Sequence, residues 1–320
     1  MDQNRWPSTR TLEPGPAAPD HGAMSDHKTF LATLPAADKA ALTETSDGAG
    51  LSHLALHAGL ILLTGALIAA RVPFWPLLLP VQGVLIVFLF TLEHECTHRT
   101  PFRAPALSDW AGRVAGFLIL LPFEWFRYFH LAHHRFTNLP GQDPELEAEK
   151  PETRSAWLLH VSGLPVWRAN LRLLLRLAAG RERAPYLPDR ALPRMEREAR
   201  VMLALYAGAA LSLFWSHMLL WLWIVPVLLG QPFLRLYLLA EHGDCPRVAN
   251  MFENTRTTFT NRIVRFLAWN MPYHVEHHVF PAVPFHRLPA LHRLMRDNLR
   301  VTADGYAAFT RDYLARRPPS

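Results

Sequence analysis

Long runs without Asp, Glu, Lys or Arg divide this chain. Residues 51–70 form one such run of 20, residues 72–92 one of 21 and residues 201–234 one of 34. A helix needs about 20 mainly apolar residues to cross a bilayer core about 30 Å thick. As one helix, the 34-residue run would be about 51 Å long at about 1.5 Å per residue. Extended to Ala240, with Arg235 snorkelling near its end, it predicts two helices and a tight turn near Ser216 and His217. The pattern therefore predicts an all-α integral membrane protein with four spans, at about 51–70, 73–93, 199–216 and 219–240.

Shorter patterns fill the intervals. Residues 114–123 carry no charge but are too few to span, which predicts a re-entrant or interfacial segment. Residues 157–177 place Arg168, Arg172 and Arg176 four apart among Leu and Trp, as an interfacial helix does. Residues 288–299 read as a short amphipathic helix. The polar, Pro-rich start predicts a disordered tail over 1–27, followed by one membrane domain over 28–312 and a C-terminal tail over 313–320.

Charge sets the orientation. Only Arg71 lies between the first two spans and no charge lies between the last two, whereas 93–200 and 241–320 are rich in Arg. The positive-inside rule then puts both basic segments and both termini in the cytoplasm, as a helical cap. The net charge of +6 belongs to that cap and suits anionic lipid or an acidic protein. It carries no nucleic-acid motif, so no nucleic acid is expected. The two cysteines, Cys96 and Cys245, form no CxxC pair and predict no disulfide framework. Arg outnumbers Lys heavily (Lys28, Lys39 and Lys150 are the only lysines), and Ala is abundant, which suggests a bacterial source and hence an inner membrane.

The 17 histidines carry the chemistry. The sequence His94-Glu95-Cys96-Thr97-His98 matches H-E-x-x-H, the zinc-protease signature. An intramembrane protease would need a third ligand, such as an Asp in a later span, and the last two spans contain no Asp or Glu. It would also leave two further clusters without a role: His130, His133 and His134, and His274, His277 and His278, each an H-x-x-H-H. Positions i, i+3 and i+4 share one helix face, so each triplet can aim three imidazoles at one point. With His242 at the end of the fourth span, the topology brings nine histidines to one side of the membrane. Nine are too many for one ion and suit two; imidazole alone does not select among iron, copper and zinc. His21, His27, His160, His286 and His292 are expected to be ordinary surface or interface residues. His53 and His57, inside the first span, are expected to have a structural or substrate-channel role, and His217 to cap a turn.

The boxes HECTH, HLAHH and HVEHH, spread among four spans, resemble those of the membrane fatty acid desaturases and their hydroxylase relatives, across roughly residues 50–300. The resemblance implies a di-iron centre held by His94, His98, His130, His133, His134, His242, His274, His277 and His278, with O2 as co-substrate. It implies a double bond introduced into an aliphatic chain, most naturally a fatty acyl lipid. Hydroxylation, ketolation, or desaturation of a non-lipid small molecule are the alternatives on the same scaffold. No H-P-G-G heme segment is present, so the electrons are expected from a separate ferredoxin or cytochrome b5. Carboxylates should hold the outer N–H of the ligand imidazoles. Glu95, Glu241 and Glu276 are favoured over Glu93, Asp143 and Asp244 because they adjoin ligands. Asn138 and Asn270 are expected to cap or brace loops rather than to hold a water on a metal.

Overall fold

A computed structural model describes residues 26–319. The expected tail over 1–27 lies outside them except at its end. There Asp26 caps the first helix, its carboxylate accepting from Thr29 N at 2.7 Å, and the buried His27 opens it. The chain runs α1 (His27–Thr33), α2 (Ala36–Leu42), α3 (Asp47–Ala69), α4 (Leu78–Val87), α5 (Leu89–His98), α6 (Pro105–Ile119) and α7 (Phe123–Phe136). It continues through α8 (Arg154–Val161), α9 (Leu164–Ala178), α10 (Leu192–Ser212) and α11 (Val225–His242), the last entered through a π-helical turn at Leu220–Ile224. The small elements α12 (Met251–Asn254), α13 (Arg262–Leu267), α14 (His274–Val279), α15 (Leu288–Met295) and α16 (Tyr306–Ala315) complete it. Helix dominates, but the expectation of an all-α chain needs one amendment. Thr257–Thr258 (β1) pairs in parallel with Thr302–Ala303 (β2).

Three helical stretches are long and apolar enough to cross a membrane: Ala36–Ala69, which takes α2 and α3 together, Trp75–His98 and Leu220–His242. They expose Leu62 at 72%, Leu63 at 57% and Phe233 at 51%, a surface suited to lipid rather than water. The third expected span, 199–216, is the C-terminal part of α10. Its first turns carry Arg194, Glu196, Arg197, Glu198 and Arg200, so α10 does not qualify by the same measure. The turn expected near Ser216 and His217 follows it, at 213–217. A fourth stretch qualifies only if α6 and α7 count as one, and they are bent by 101°. That bend follows from Leu120 in the left-handed region (φ 61°) and from Pro122.

Glycine sets the closest helix crossing. A Cβ on Gly83 (α4) would stand 2.0 Å from the Pro226 carbonyl oxygen, and one on Gly230 (α11) would stand 2.3 Å from the Gly83 carbonyl carbon. Membrane helices pack this closely only through small residues. The crossing matters for function because α4 continues through a break at Phe88 into α5, which ends at His98, while α11 ends at His242. His57 donates from Nε2 to the Leu85 carbonyl just before that break, at 2.8 Å.

The expected C-terminal tail is largely ordered. α16 runs past residue 312 to Ala315 because Tyr313 is buried against α11, and its hydroxyl donates to the Pro151 carbonyl at 2.7 Å. Arg316 and Arg317 pair with Asp244.

Candidate metal centre

Four helices and their ends supply the imidazoles. α5 presents His94 and His98 one turn apart, and the left-handed Arg99 (φ 59°) stops the helix immediately after. α7 aims His130, His133 and His134 from one face, α14 aims His274, His277 and His278, and α11 ends on His242. The ligating atoms of His94, His98, His130, His134 and His277 lie within 4.8 Å of one another, and those of His133, His242 and His278 form a second such group. His274 joins the second group, its Nε2 standing 3.1 Å from the Nε2 atoms of both His242 and His278. All nine expected histidines therefore converge, in sets of five and four.

The tautomers show what the second set is built to hold. His133 Nδ1 faces both Asp143 oxygens at 3.0 Å, so Nδ1 carries the proton. His242 Nδ1 donates to the Asn254 carbonyl at 3.1 Å. Thr137 gives its hydroxyl proton to the His133 carbonyl at 2.8 Å and therefore accepts from His278 Nδ1 at 3.1 Å. His274 Nδ1 stands 3.5 Å from Glu241 Oε1. His133, His242 and His278 thus turn Nδ1 outward and Nε2 inward, and His133 and His242 bring their Nε2 atoms to 3.2 Å. Two ring nitrogens this close need a proton or a metal cation between them. With metal–nitrogen bonds of about 2.1 Å, ligands at right angles on one ion sit about 3.0 Å apart, so the spacing fits. In the first set the Nε2 atoms of His98 and His130 stand 2.9 Å apart, and those of His134 and His277 3.1 Å. His94 lies between the rings of His130 (4.1 Å) and His277 (4.5 Å) with both nitrogens unpartnered among the described residues. Burial holds His274, His277 and His278 well below the usual histidine range. The neighbouring imidazoles push the same way, which keeps them in the neutral form a metal requires.

The carboxylates divide. Glu95 Oε1 stands 3.8 Å from His277 Nδ1, while its Oε2 accepts from Thr100 Oγ1 at 2.9 Å and Phe285 N at 3.0 Å. It lies outside the ring of imidazoles, so the H-E-x-x-H does not present a base to an ion between His94 and His98. Glu241 Oε1 stands 3.5 Å from His274 Nδ1, which makes no hydrogen bond among the described residues. Glu276 does not hold a ligand imidazole. Its Oε2 accepts from Thr257 Oγ1 at 2.6 Å and its Oε1 meets His292 Nδ1. The reason is helical geometry: at about 100° per residue, position 276 points away from 274, 277 and 278. Asp143, considered but not favoured, makes the best-formed carboxylate contact to a ligand imidazole, with Glu145 Oε2 a further 3.1 Å from His133 Nδ1. Thr137 and Asn254 were not anticipated.

Other candidates are structural. His53 stacks on Phe266 and Trp269 with Nε2 on the Phe266 carbonyl at 2.8 Å, and His57 also accepts from Trp269 Nε1 at 3.4 Å; both tie α3 to the 266–269 turn. Asn138 and Asn270 donate to the Asn254 and Phe285 carbonyls and brace loops. Glu93 is buried on another side of α5, both oxygens unpartnered among the described residues. His21 lies outside the described residues.

Residues 71–310 match the family model described as fatty acid desaturase. An sn-1 acyl-lipid omega-3 desaturase (ferredoxin) of Synechocystis sp. is 25% identical over 240 residues, covering 67% of this chain and 65% of that protein. A chloroplastic omega-6 fatty acid desaturase of Glycine max is 23% identical over 254 residues, 73% of this chain and 59% of its own length. An sn-1 oleoyl-lipid 12-desaturase of Picosynechococcus sp. is 31% identical over 113 residues, a third of either chain. The chain thus spans less than two thirds of the length of these curated relatives.

Proposed function

The chain belongs to the fatty acid desaturase family, and on that premise we propose that it is a membrane-embedded, O2-dependent di-iron desaturase of fatty acyl lipid chains. The observation that carries the reading is the convergence of the Nε2 atoms of His133, His242, His274 and His278, beside five more imidazoles. One iron would be held by His94, His98, His130, His134 and His277, the other by His133, His242, His274 and His278. A pair of irons supplies the oxidant that an unactivated methylene demands, since such a carbon has neither an acidic proton nor a leaving group for side-chain catalysis. O2 becomes two waters with two electrons from the substrate C–H bonds and two from a separate ferredoxin or cytochrome b5 type donor.

The protein's own work is positioning and insulation. Asp143, Thr137 and the Asn254 carbonyl orient the imidazoles of His133, His278 and His242, while Glu241 and Glu95 flank His274 and His277 at 3.5 and 3.8 Å. Neutral imidazoles add no charge to a buried site beside lipid, and the apolar neighbours Phe90 and Phe126 exclude water from it. The reading includes four spans, with the apolar half of α10 as the third, a cytoplasmic metal site and a bacterial inner membrane.

Metal analysis of the purified chain tests it. About two irons per chain are expected, as paired-metal chemistry requires; one zinc and no iron would sink the reading. Lipid profiles of cells expressing the chain, compared with His278→Ala, test the substrate: a new acyl double bond that depends on His278 is expected.

A further inference from the structure

α14 carries three of the nine histidines on a helix of only six residues. Isolated helices shorter than about 12 residues are marginal in water, so packing must hold its orientation. The restraint on its outer face is Glu276, fully buried, which accepts from Thr257 Oγ1 on β1 at 2.6 Å and meets Nδ1 of His292 on α15. The His292 ring also lies against Tyr273, the N-cap residue of α14, with centroids 4.9 Å apart. Tyr273 is fixed in turn by Arg265 Nη1, 2.8 Å from its hydroxyl. His292 thus touches α14 at its start and at its middle, from a side chain still 18% exposed.

We propose that His292 is a positioning residue for the metal centre: through its bond to Glu276 it sets the rotation of α14 and so the aim of His274, His277 and His278. The inference rests on the metal-binding reading above. No metal ligand bonds to His292, and its effect passes through the Glu276 carboxylate. Without that nitrogen donor Glu276 keeps only Thr257 Oγ1, on its other oxygen, and the restraint on α14 from α15 is lost.

Two variants of the full-length chain separate this role from plain packing. His292→Phe keeps a ring against Tyr273 and removes the donor. His292→Asn removes the ring and keeps an amide N–H near the Nδ1 position. The readouts are iron per chain, affinity by chelator competition, and the ligand-field spectrum of the cobalt(II)-reconstituted protein, with circular dichroism and size-exclusion profiles reporting the fold. His292→Phe is expected to weaken metal binding on the order of tenfold, as loss of groups supporting a ligand does, and to change the cobalt spectrum. His292→Asn is expected to keep both near wild type. Equal behaviour of the two variants, or the reverse order, overturns the proposal. If His292→Phe does not fold, Glu276→Gln/His292→Phe removes the stranded charge; unchanged metal affinity in that chain also overturns it. A wild-type chain without iron defeats the proposed function itself, whereas an iron-loaded wild type with an unaffected His292→Phe defeats only this inference.

Discussion

Replacing Asp143 tests whether the site depends on groups that never touch a metal. Asp143 is 4% exposed and accepts four contacts: His133 Nδ1 at 3.0 Å on each oxygen, Asn138 N at 2.7 Å and Glu145 N at 2.9 Å. Asp143→Ala leaves three buried or part-buried donors without this acceptor. The two backbone donors bear on the loop, at about 1–3 kcal/mol for each group left unsatisfied. The imidazole donor bears on the metal. Loss of such a partner costs roughly 10–100-fold in affinity, which is about 1.4–2.8 kcal/mol. A loss above the lower end is expected for Asp143→Ala, because only the more exposed Glu145 carboxylate, 3.1 Å away, then faces His133 Nδ1. Asp143→Asn retains one acceptor oxygen but turns an NH2 toward a second donor, so a loss of about tenfold is expected. The assay is competition between the metal-stripped chain and a chelator of known affinity, with thermal unfolding measured in parallel. If Asp143→Ala binds within about threefold of wild type while His133→Ala loses one of two irons, the orienting role is refuted.

Other perturbations follow from the same geometry. Gly83→Ala forces a methyl group into the Pro226 backbone, and should part α4 from α11, lowering both thermal stability and iron content; normal loading would show that the crossing is not what sets the site. His57→Leu leaves the Leu85 carbonyl and Trp269 Nε1 unpaired and should destabilise the chain by about 1–3 kcal/mol, while iron per chain remains at two; loss of iron from a folded His57→Leu would make His57 part of the site. Glu95→Gln keeps the hydrogen-bonding shape around Thr100 and Phe285. It should retain metal and reduce activity only modestly, whereas a hydrolytic role for Glu95 would abolish activity.

The nine histidines were legible because two periodicities coincide: the i, i+3, i+4 spacing within each box, and the apolar runs that bring the boxes to one side. The misassignment of Glu276 was avoidable, since adjacency in sequence is not adjacency on a helix, and counting angles from His274 already turns position 276 outward. Asp143 was harder to rank because it reaches His133 from a loop, where no periodicity fixes direction. Thr137 lies one turn beyond His133 on the same face and could have been found. The Asn254 carbonyl could not, because a backbone acceptor leaves no mark in a sequence. The expected third span, 199–216, shows the limit of counting uncharged residues. Run length found the hairpin near 213–217, but the helix containing the run begins nine residues earlier, at Leu192, among charges.

The site draws on both ends of the folded domain, and this bears on how the living cell must assemble it. His94 is translated roughly 180 residues before His278, an interval on the order of ten to forty seconds at about 5–20 residues per second. During that interval the nascent chain carries His94 and His98, then His130, His133, His134 and His242, but lacks the three imidazoles of α14. The set of nine is therefore complete only once α14, near the C-terminal end, has been made. A ribosome that stops short of His274 leaves behind a fragment with six of the nine histidines and with both sets incomplete.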